Sequence, residues 1–389
     1  MKATLCKTLL TLVMFLPIGM LSAEDIFQKI TIPNIDISQQ TDWQVLTDRE
    51  AGQYLGHVTT VLLDDGKTIL CVYPKGHGRG AIVYKKSFDG GKTWSDRLPT
   101  PPNWETSLEV PTLHRTIDSN GKKRIILFSG LYPARMAVSE DEGETWSELK
   151  PVGDWGGIVV MGDVVPLQTG KGHYLAMFHD DGRFFTSTRQ AGAGFTLYKT
   201  FSTDGGLTWS FPEAILNNKE IQPCEPGIVR SPDGKRLAVL LRENSRKQNS
   251  QVIFSDDEGK TWSEMQPLPS ALNGDRHTIR YLNDGRLFVS FREMSVSPNE
   301  TSFKGDWMAW VGTFEDIEQS KEGQYRIRIM DNKNPWDSTY PGVVVLPDGT
   351  VVTTTYGFWT AGEQPYIMTV RIDMEKIDAM VRDHVNSSK

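Results

Sequence analysis

The sequence predicts an all-β fold, a six-bladed β-propeller whose blades are four-stranded antiparallel sheets. Three observations predict it. An eight-residue motif, S-x-D-x-G-x-T-W, occurs four times, starting at Ser87, Ser139, Ser202 and Ser255, and each copy is followed by another Ser. A Gly-containing turn between two apolar, strand-like runs occurs six times. Helical periodicity is nearly absent before a short amphipathic segment at Asp373–His384.

The motif copies start 52, 63 and 53 residues apart. Repeats at such periods signal solenoids, propellers or arrays. Within each copy the Asp accepts bonds from backbone N–H groups of a tight turn, and Gly supplies a positive φ. Thr and Trp then begin the next strand, with the Trp packed between sheets. A metal site built from these Asp residues would have too few oxygen ligands. The six turns are Asp65-Gly66, Asn120-Gly121, Gly170-Lys171-Gly172, Asp233-Gly234, Asp284-Gly285 and Asp348-Gly349. Their flanks read as hairpin strands, for example Val58–Leu63 with Thr68–Tyr73, Gly227–Val229 with Leu237–Leu241, and Val343–Leu346 with Val351–Thr355. Six hairpins, with the motif joining further strands, give six four-stranded units. Radial closure of such units is a propeller. A β-helix would repeat at a much shorter period.

Residues 1–23 read as a secretory signal peptide: Lys2 and Lys7, an apolar run from Leu9 to Leu21, then Leu21-Ser22-Ala23 before Glu24. Residues 24–389 read as a single domain, secreted or periplasmic. The apolar run is too short to span a membrane comfortably. The net charge of −7 comes from 42 Lys and Arg interspersed among 49 Asp and Glu. No basic run marks a nucleic-acid partner. Cys71 and Cys224 are expected as buried free thiols. No Cys/His spacing suggests zinc. Neither metal nor cofactor is expected, and the chain is expected to be a monomer.

Propeller connectivity narrows the search for a site. The Asp-Gly turn joins the first and second strands of a blade, and the motif joins the third and fourth, so both lie on one face. The starts of first strands and the ends of second strands then line the opposite mouth. Starts place His57, Glu109, Asp163, Glu225, Arg276, His277 and Tyr340 there. Ends place Lys75, His77, His179, Asp180, Asp181, Arg242, Arg292 and Tyr356 there. Glu243 and Glu293 are expected to pair with neighbouring Arg residues. Arg forks suit carboxylates, so the mouth is expected to bind an anionic ligand, a sugar acid above all.

The motif copies and their spacing resemble the Asp boxes of the sialidase (neuraminidase) superfamily, over nearly the whole chain after residue 23. The boxes are specific for that fold and not for its activity. The resemblance implies a Tyr nucleophile activated by a Glu, an Asp acid/base, and three Arg residues on the substrate carboxylate. A neutral Tyr attacks an anionic sugar with less repulsion than a carboxylate would, which sets such enzymes apart from the two-carboxylate scheme. Glu225, in Cys-Glu-Pro-Gly-Ile-Val-Arg, fits the Glu, Tyr340 the nucleophile, and Arg242, in Leu-Leu-Arg-Glu-Asn, one Arg. The first Arg, normally in an Arg-Ile-Pro motif, is replaced by His57. The loop that normally carries the acid/base Asp reads Lys75-Gly76-His77-Gly78-Arg79-Gly80 and has no carboxylate. Arg276, Arg292 or Lys304 could complete the Arg set. His57, His77 or Asp181 could supply the acid/base. His277, Lys75, Asp180, Glu109 and Tyr356 would line the substrate site.

Three functions are therefore expected in competition. The first is an exo-acting glycosidase that removes an acidic terminal sugar from a glycan. The second keeps the fold and changes the reaction, as in an α-L-rhamnosidase or a rhamnose–glucuronate lyase using His. The third is a glycan-binding propeller without catalysis.

Overall fold

The computed structural model describes residues 29–182, 194–294 and 303–387, so the segment read as a signal peptide lies outside the described residues. Two short strands come first, β1 (Asn34–Asp36) and β2 (Gln44–Asp48). Six blades follow. Blade 1 holds β3 (Thr59–Leu62), β4 (Ile69–Pro74) and β5 (Ile82–Ser87). Blade 2 holds β6 (Thr112–Ile117), β7 (Lys123–Ser129), β8 (Arg135–Ser139) and β9 (Lys150–Pro151). Blade 3 holds β10 (Ile158–Pro166), β11 (Tyr174–Asp180), β12 (Thr196–Ser202) and β13 (Glu213–Asn217). Blade 4 holds β14 (Pro223–Arg230), β15 (Leu237–Glu243), β16 (Gln251–Ser255) and β17 (Gln266–Pro267). Blade 5 holds β18 (Gly274–Tyr281), β19 (Leu287–Glu293), β20 (Trp307–Gly312) and β21 (Tyr325–Met330). Blade 6 holds β22 (Gly342–Val345), β23 (Val351–Gly357) and β24 (Tyr366–Ile372).

The expected six-bladed propeller is therefore present, with two variations at its edges. Blade 1 has three paired strands, and blade 5 gains a fifth when β1 pairs in parallel with β21. Blade 6 is completed by β2, which pairs antiparallel with β24 and ties the start of the fold to its end. The first strands close a ring: β3 touches β6, then β10, β14, β18, β22 and β3 again in turn. Such closure removes the free inner edges that a sheet would otherwise expose. The strands can come this close because small residues stand between them. A Cβ on Gly227 would lie 2.2 Å from the His277 carbonyl of the next blade.

The Asp box works as its sequence implies. Ser87 Oγ donates to Asp89 Oδ1 at 2.9 Å and accepts from Gly91 N at 2.7 Å. Thr93 N and Thr93 Oγ1 donate to the two oxygens of Asp89 at 2.9 and 2.6 Å. The copies at Asp141, Asp204 and Asp257 repeat the pattern. Each carboxylate is thus consumed by its own turn. The Trp rings pack between blades, as Trp146 does against Tyr84 and Trp104. The outer strands begin several residues after the Trp, later than the motif suggests, because the box backbone is still turning there. Boxes and Asp-Gly turns share a face, as Gly90 N donating to the Lys67 carbonyl at 2.9 Å shows.

Apolar side chains of adjacent sheets fill the space between blades. Cys71 and Cys224 are buried free thiols. Among the described residues, two α-helices accompany the sheets. α1 (Phe314–Glu318) is closed by a capping box between Thr313 and Asp316. α2 (Met374–Ser387) buries Met374 and Ile377 and is slightly longer than the sequence suggests. No helix among the described residues is long and apolar enough to cross a membrane.

Candidate active site

The first strands do not run straight into the mouth. The β14–β15 pairing shifts register between Cys224 and Gly227, and the β18–β19 pairing between Asp275 and Thr278. Glu225 and Arg276 sit in these bulges with positive φ, 52° and 55°. His57 and Thr339, just ahead of the first strands of blades 1 and 6, have φ of 60° and 54°. A bulge re-aims a side chain, and strained backbone gathers at functional sites. In four of six blades the chain accepts this strain where it enters the axis.

Tyr340 is buried beside Glu225, and its Oη–H donates to Glu225 Oε1. Arg242 Nη1 donates to the same oxygen at 2.7 Å. The Glu225 backbone N–H donates to His179 Nδ1 at 3.3 Å. Burial pushes the Glu225 carboxyl up, but the charges of Arg242 and Arg292 outweigh it and hold the group below its ordinary range. Burial, and then the charge of Glu225, push the Tyr340 phenol well above its ordinary 10. The pair therefore rests as a neutral phenol aimed at an ionised carboxylate.

A second cluster adjoins it. His57 packs edge-on against Tyr340 and flat against Tyr356, with ring centroids 4.5 and 4.8 Å apart. His57 Nδ1 accepts from Gly78 N at 3.1 Å. Burial pushes its pKa down to about 3. The sequence puts His57 forward as an acid/base. Here it is nearly wholly buried and neutral, and its Nδ1 already accepts a bond. His77 stands edge-on to His57 at 4.7 Å. Its Nδ1 lies 2.9 Å from Tyr54 Oη and 3.5 Å from Asp337 Oδ2. Tyr54 Oη and Tyr356 Oη both donate to Asp337, each at 2.9 Å. Burial pushes Asp337 up, but its bond and charge interaction with His77, then Tyr356, bring it down to about 2. The same bond raises His77 above 6.5. Glu109 approaches from the side of Gly78, whose added Cβ would lie 2.6 Å from its Oε1. Burial raises Glu109.

A third cluster lies under the first. Asp275, wholly buried, accepts from Arg246 Nη1 and Nη2 at 2.6 and 2.8 Å. Arg292 Nε and Nη2 reach its Oδ2 at 3.0 and 2.5 Å, and Arg242 Nε lies 3.2 Å from Oδ1. Arg292 Nη1 donates to the Ser338 carbonyl at 3.0 Å. Burial alone would raise Asp275, but the three guanidiniums lower it far below its ordinary value. Arg276 lies over the Tyr340 ring, 5.5 Å from its centroid.

Contacts thus bring together Tyr340, Glu225, Arg242, Arg276, Arg292, His57, His77, Glu109 and Tyr356. Of the four remaining expected residues, Lys75, Asp180 and His277 are engaged in other contacts, while Asp181 lies near His179. Lys75 pairs with Glu50 at 3.0 Å. Asp180 accepts from Gly182 N at 2.8 Å and so caps its own Asp-Asp-Gly turn. Asp181 follows in that turn, and its charge is felt by His179. His277 donates from Nε2 to the Leu272 carbonyl at 2.8 Å and stacks on Phe291, which makes it a core residue. Lys304, considered for the Arg set, lies 3.6 Å over the Trp336 ring. Glu293 does pair with an Arg, Arg326. Glu243 instead accepts from Ser245 N and Lys247 N at 3.1 and 3.0 Å. Asp337, Asp275, Arg246 and Tyr54 escaped the sequence reading. Asp337 lies three residues before Tyr340, and Asp275 directly precedes Arg276; adjacency to an expected site residue was their only signal.

Comparison with known proteins agrees with this fold. The family model described as BNR repeat-like domain matches residues 128–352. An anhydrosialidase of Macrobdella decora is 28% identical over 244 residues, which is 59% of this chain and 30% of that protein. The chain thus spans about a third of the length of that relative. An intramolecular trans-sialidase of Ruminococcus gnavus superposes with a TM-score of 0.59 at 15% identity, covering 85% of this chain and 97% of that one. An α-L-arabinofuranosidase of Fusarium graminearum also gives 0.59, at 14% identity, covering 84% and 97%. At such identities the superpositions speak for the fold alone. The matched repeats, the Asp boxes and the closed ring of six blades together make this chain a member of the BNR repeat-like domain family, within the sialidase superfamily.

Proposed function

We propose that the chain is an exo-acting glycoside hydrolase that forms a covalent glycosyl intermediate on Tyr340. The observation that carries this is the Tyr340 Oη–H donating to Glu225 Oε1, with Arg242 on the same oxygen. A buried phenol is a poor nucleophile until a base takes its proton, and here the base is already in contact. In the first step Tyr340 Oη bonds to the anomeric carbon and its proton passes to Glu225. The bond to the leaving oxygen breaks as His77 gives that oxygen a proton. In the second step His77 takes a proton from water, the water oxygen attacks the anomeric carbon, and Tyr340 leaves and recovers its proton from Glu225. Asp337, ionised, positions His77 and favours its charged form. The similarity to an anhydrosialidase supports a reaction of this class.

A second reading keeps the chemistry and gives it an acidic terminal sugar, sialic acid by default. The observation favouring it is Arg276 Nη1, buried beside Tyr340 with no partner among the described residues. The test of the hydrolase is product analysis by mass spectrometry after incubation with mixed glycans. A released monosaccharide that disappears in Tyr340→Phe, with a glycosylated Tyr340 trapped by a fluorinated glycoside, supports it. Glycans bound and returned unchanged would show a binding propeller, and an unsaturated product a lyase.

A further inference from the structure

We infer that the sugar bound at Tyr340 is a neutral one, held through hydroxyls, and that Asp275 occupies the place a sugar carboxylate would need; this rests on the hydrolase reading above. Among the described residues, Arg242, Arg246 and Arg292 cluster where a carboxylate could be gripped in a bidentate fork. Of these, Arg246 and Arg292 are committed to Asp275, and Arg242 is held by Glu225. Arg246 gives both terminal nitrogens to Asp275, and Arg292 gives it Nε and Nη2 and spends Nη1 on the Ser338 carbonyl. Arg242 gives Nη1 to Glu225 and lies with Nε 3.2 Å from Asp275. Asp275 is wholly buried, so this is a built-in counter-ion and no rim contact. Removing one partner of such a cluster is strongly unfavourable, and a substrate cannot displace Asp275 without doing so.

The polar atoms left over point the same way. Beside Tyr340, Arg276 Nη1 is a buried donor and Glu225 Oε2 a buried acceptor, and neither has a partner among the described residues. A sugar hydroxyl accepts and donates at once, so neighbouring hydroxyls satisfy both. A carboxylate accepts only; it would meet Arg276 but be repelled by Glu225. The internal carboxylate also explains why a phenol serves here with a neutral sugar. Asp275 keeps a fixed negative charge beside Glu225, so a second ionised nucleophile at this spot would be repelled as it would be by an acidic substrate.

The test uses the full chain, and nitrophenyl glycosides of L-arabinofuranose and L-rhamnose against nitrophenyl sialoside and glucuronide. A calorimetric titration with the sialic acid glycal runs alongside. For the wild type, cleavage of a neutral glycoside at least about tenfold faster than of either acidic one, with no glycal binding, is expected. Asp275→Ala vacates the fork, so acetate should raise its melting temperature while leaving the wild type unmoved; Asp275→Ser is the second variant should Ala not fold. Faster cleavage of an acidic glycoside, or glycal binding by the wild type, would overturn the inference. So would an Asp275 variant indifferent to acetate. Should no glycoside be cleaved while acetate still rescues Asp275→Ala, the hydrolase reading fails and the assignment of the carboxylate place stands.

Discussion

The phenolic proton of Tyr340 has a destination before any substrate arrives, because Glu225 already accepts it. Tyr340→Phe and Glu225→Gln should each lower kcat by about 10³-fold, and the double variant little further, since residues acting as one unit are not additive. Steady-state kinetics on the active glycoside would show it; additive losses would separate the two roles. His77 acts as an acid only when protonated, and its pKa is raised above 6.5 by its bond to Asp337. The rate should therefore fall as pH rises through a value above 6.5. Asp337→Asn removes the cause of the rise, so this alkaline limb should move to lower pH in a kcat/KM profile. An unmoved limb would place the proton donor elsewhere. At this scale the sequence was only half legible. Tyr340 and Glu225 could be found because strand starts converge on the axis. Asp337 could not, because its coil has no periodicity, and its role comes from Tyr54 and Tyr356, which lie far from it in sequence.

Among the elements, the Asp boxes carry a natural comparison of backbone strain. The residue after the box Asp has positive φ in all four copies: Gly90 and Gly205 at 69° and 77°, Glu142 and Glu258 at 58° and 61°. Left-handed backbone costs a non-Gly residue roughly 1–2 kcal/mol, while Gly adds roughly 0.5–1 kcal/mol of unfolded-state entropy. Glu142 is exposed, so the balance at that site is set by backbone alone. Glu142→Gly should stabilise the fold by about 0.5 kcal/mol in denaturant titration. Glu258→Gly should not, because Glu258 holds Arg230 at 2.6 and 2.9 Å. The hairpins and boxes were legible for the same reason that they recur: turn chemistry is local. The bulges at Glu225 and Arg276 were not, since register depends on the neighbouring strand.

The molecule as a whole buries neutral histidines. His57 and His114 are pushed down to about 3 and His179 to about 4, in each case chiefly by burial. A depressed folded pKa gives stability that is present above the unfolded value of 6.5 and lost as pH falls below it toward the folded one. From pH 7 to pH 5 each of His57 and His114 should withdraw about 2 kcal/mol. Asp163 and Glu109, raised by burial, work in the opposite sense. Melting temperatures should therefore fall as the pH drops from about 7 to 5. His114→Gln, which keeps a partner for Thr112, should flatten the decline. The strand β2 brings a different consequence, one of time. It is made among the first residues of the fold, yet its partner β24 is among the last. At a synthesis rate of roughly 5–20 residues per second, β2 waits some tens of seconds for that partner. Through that interval the chain carries an open ring and an unpaired β-edge, so its vulnerability to aggregation and proteolysis is concentrated before the last strand emerges.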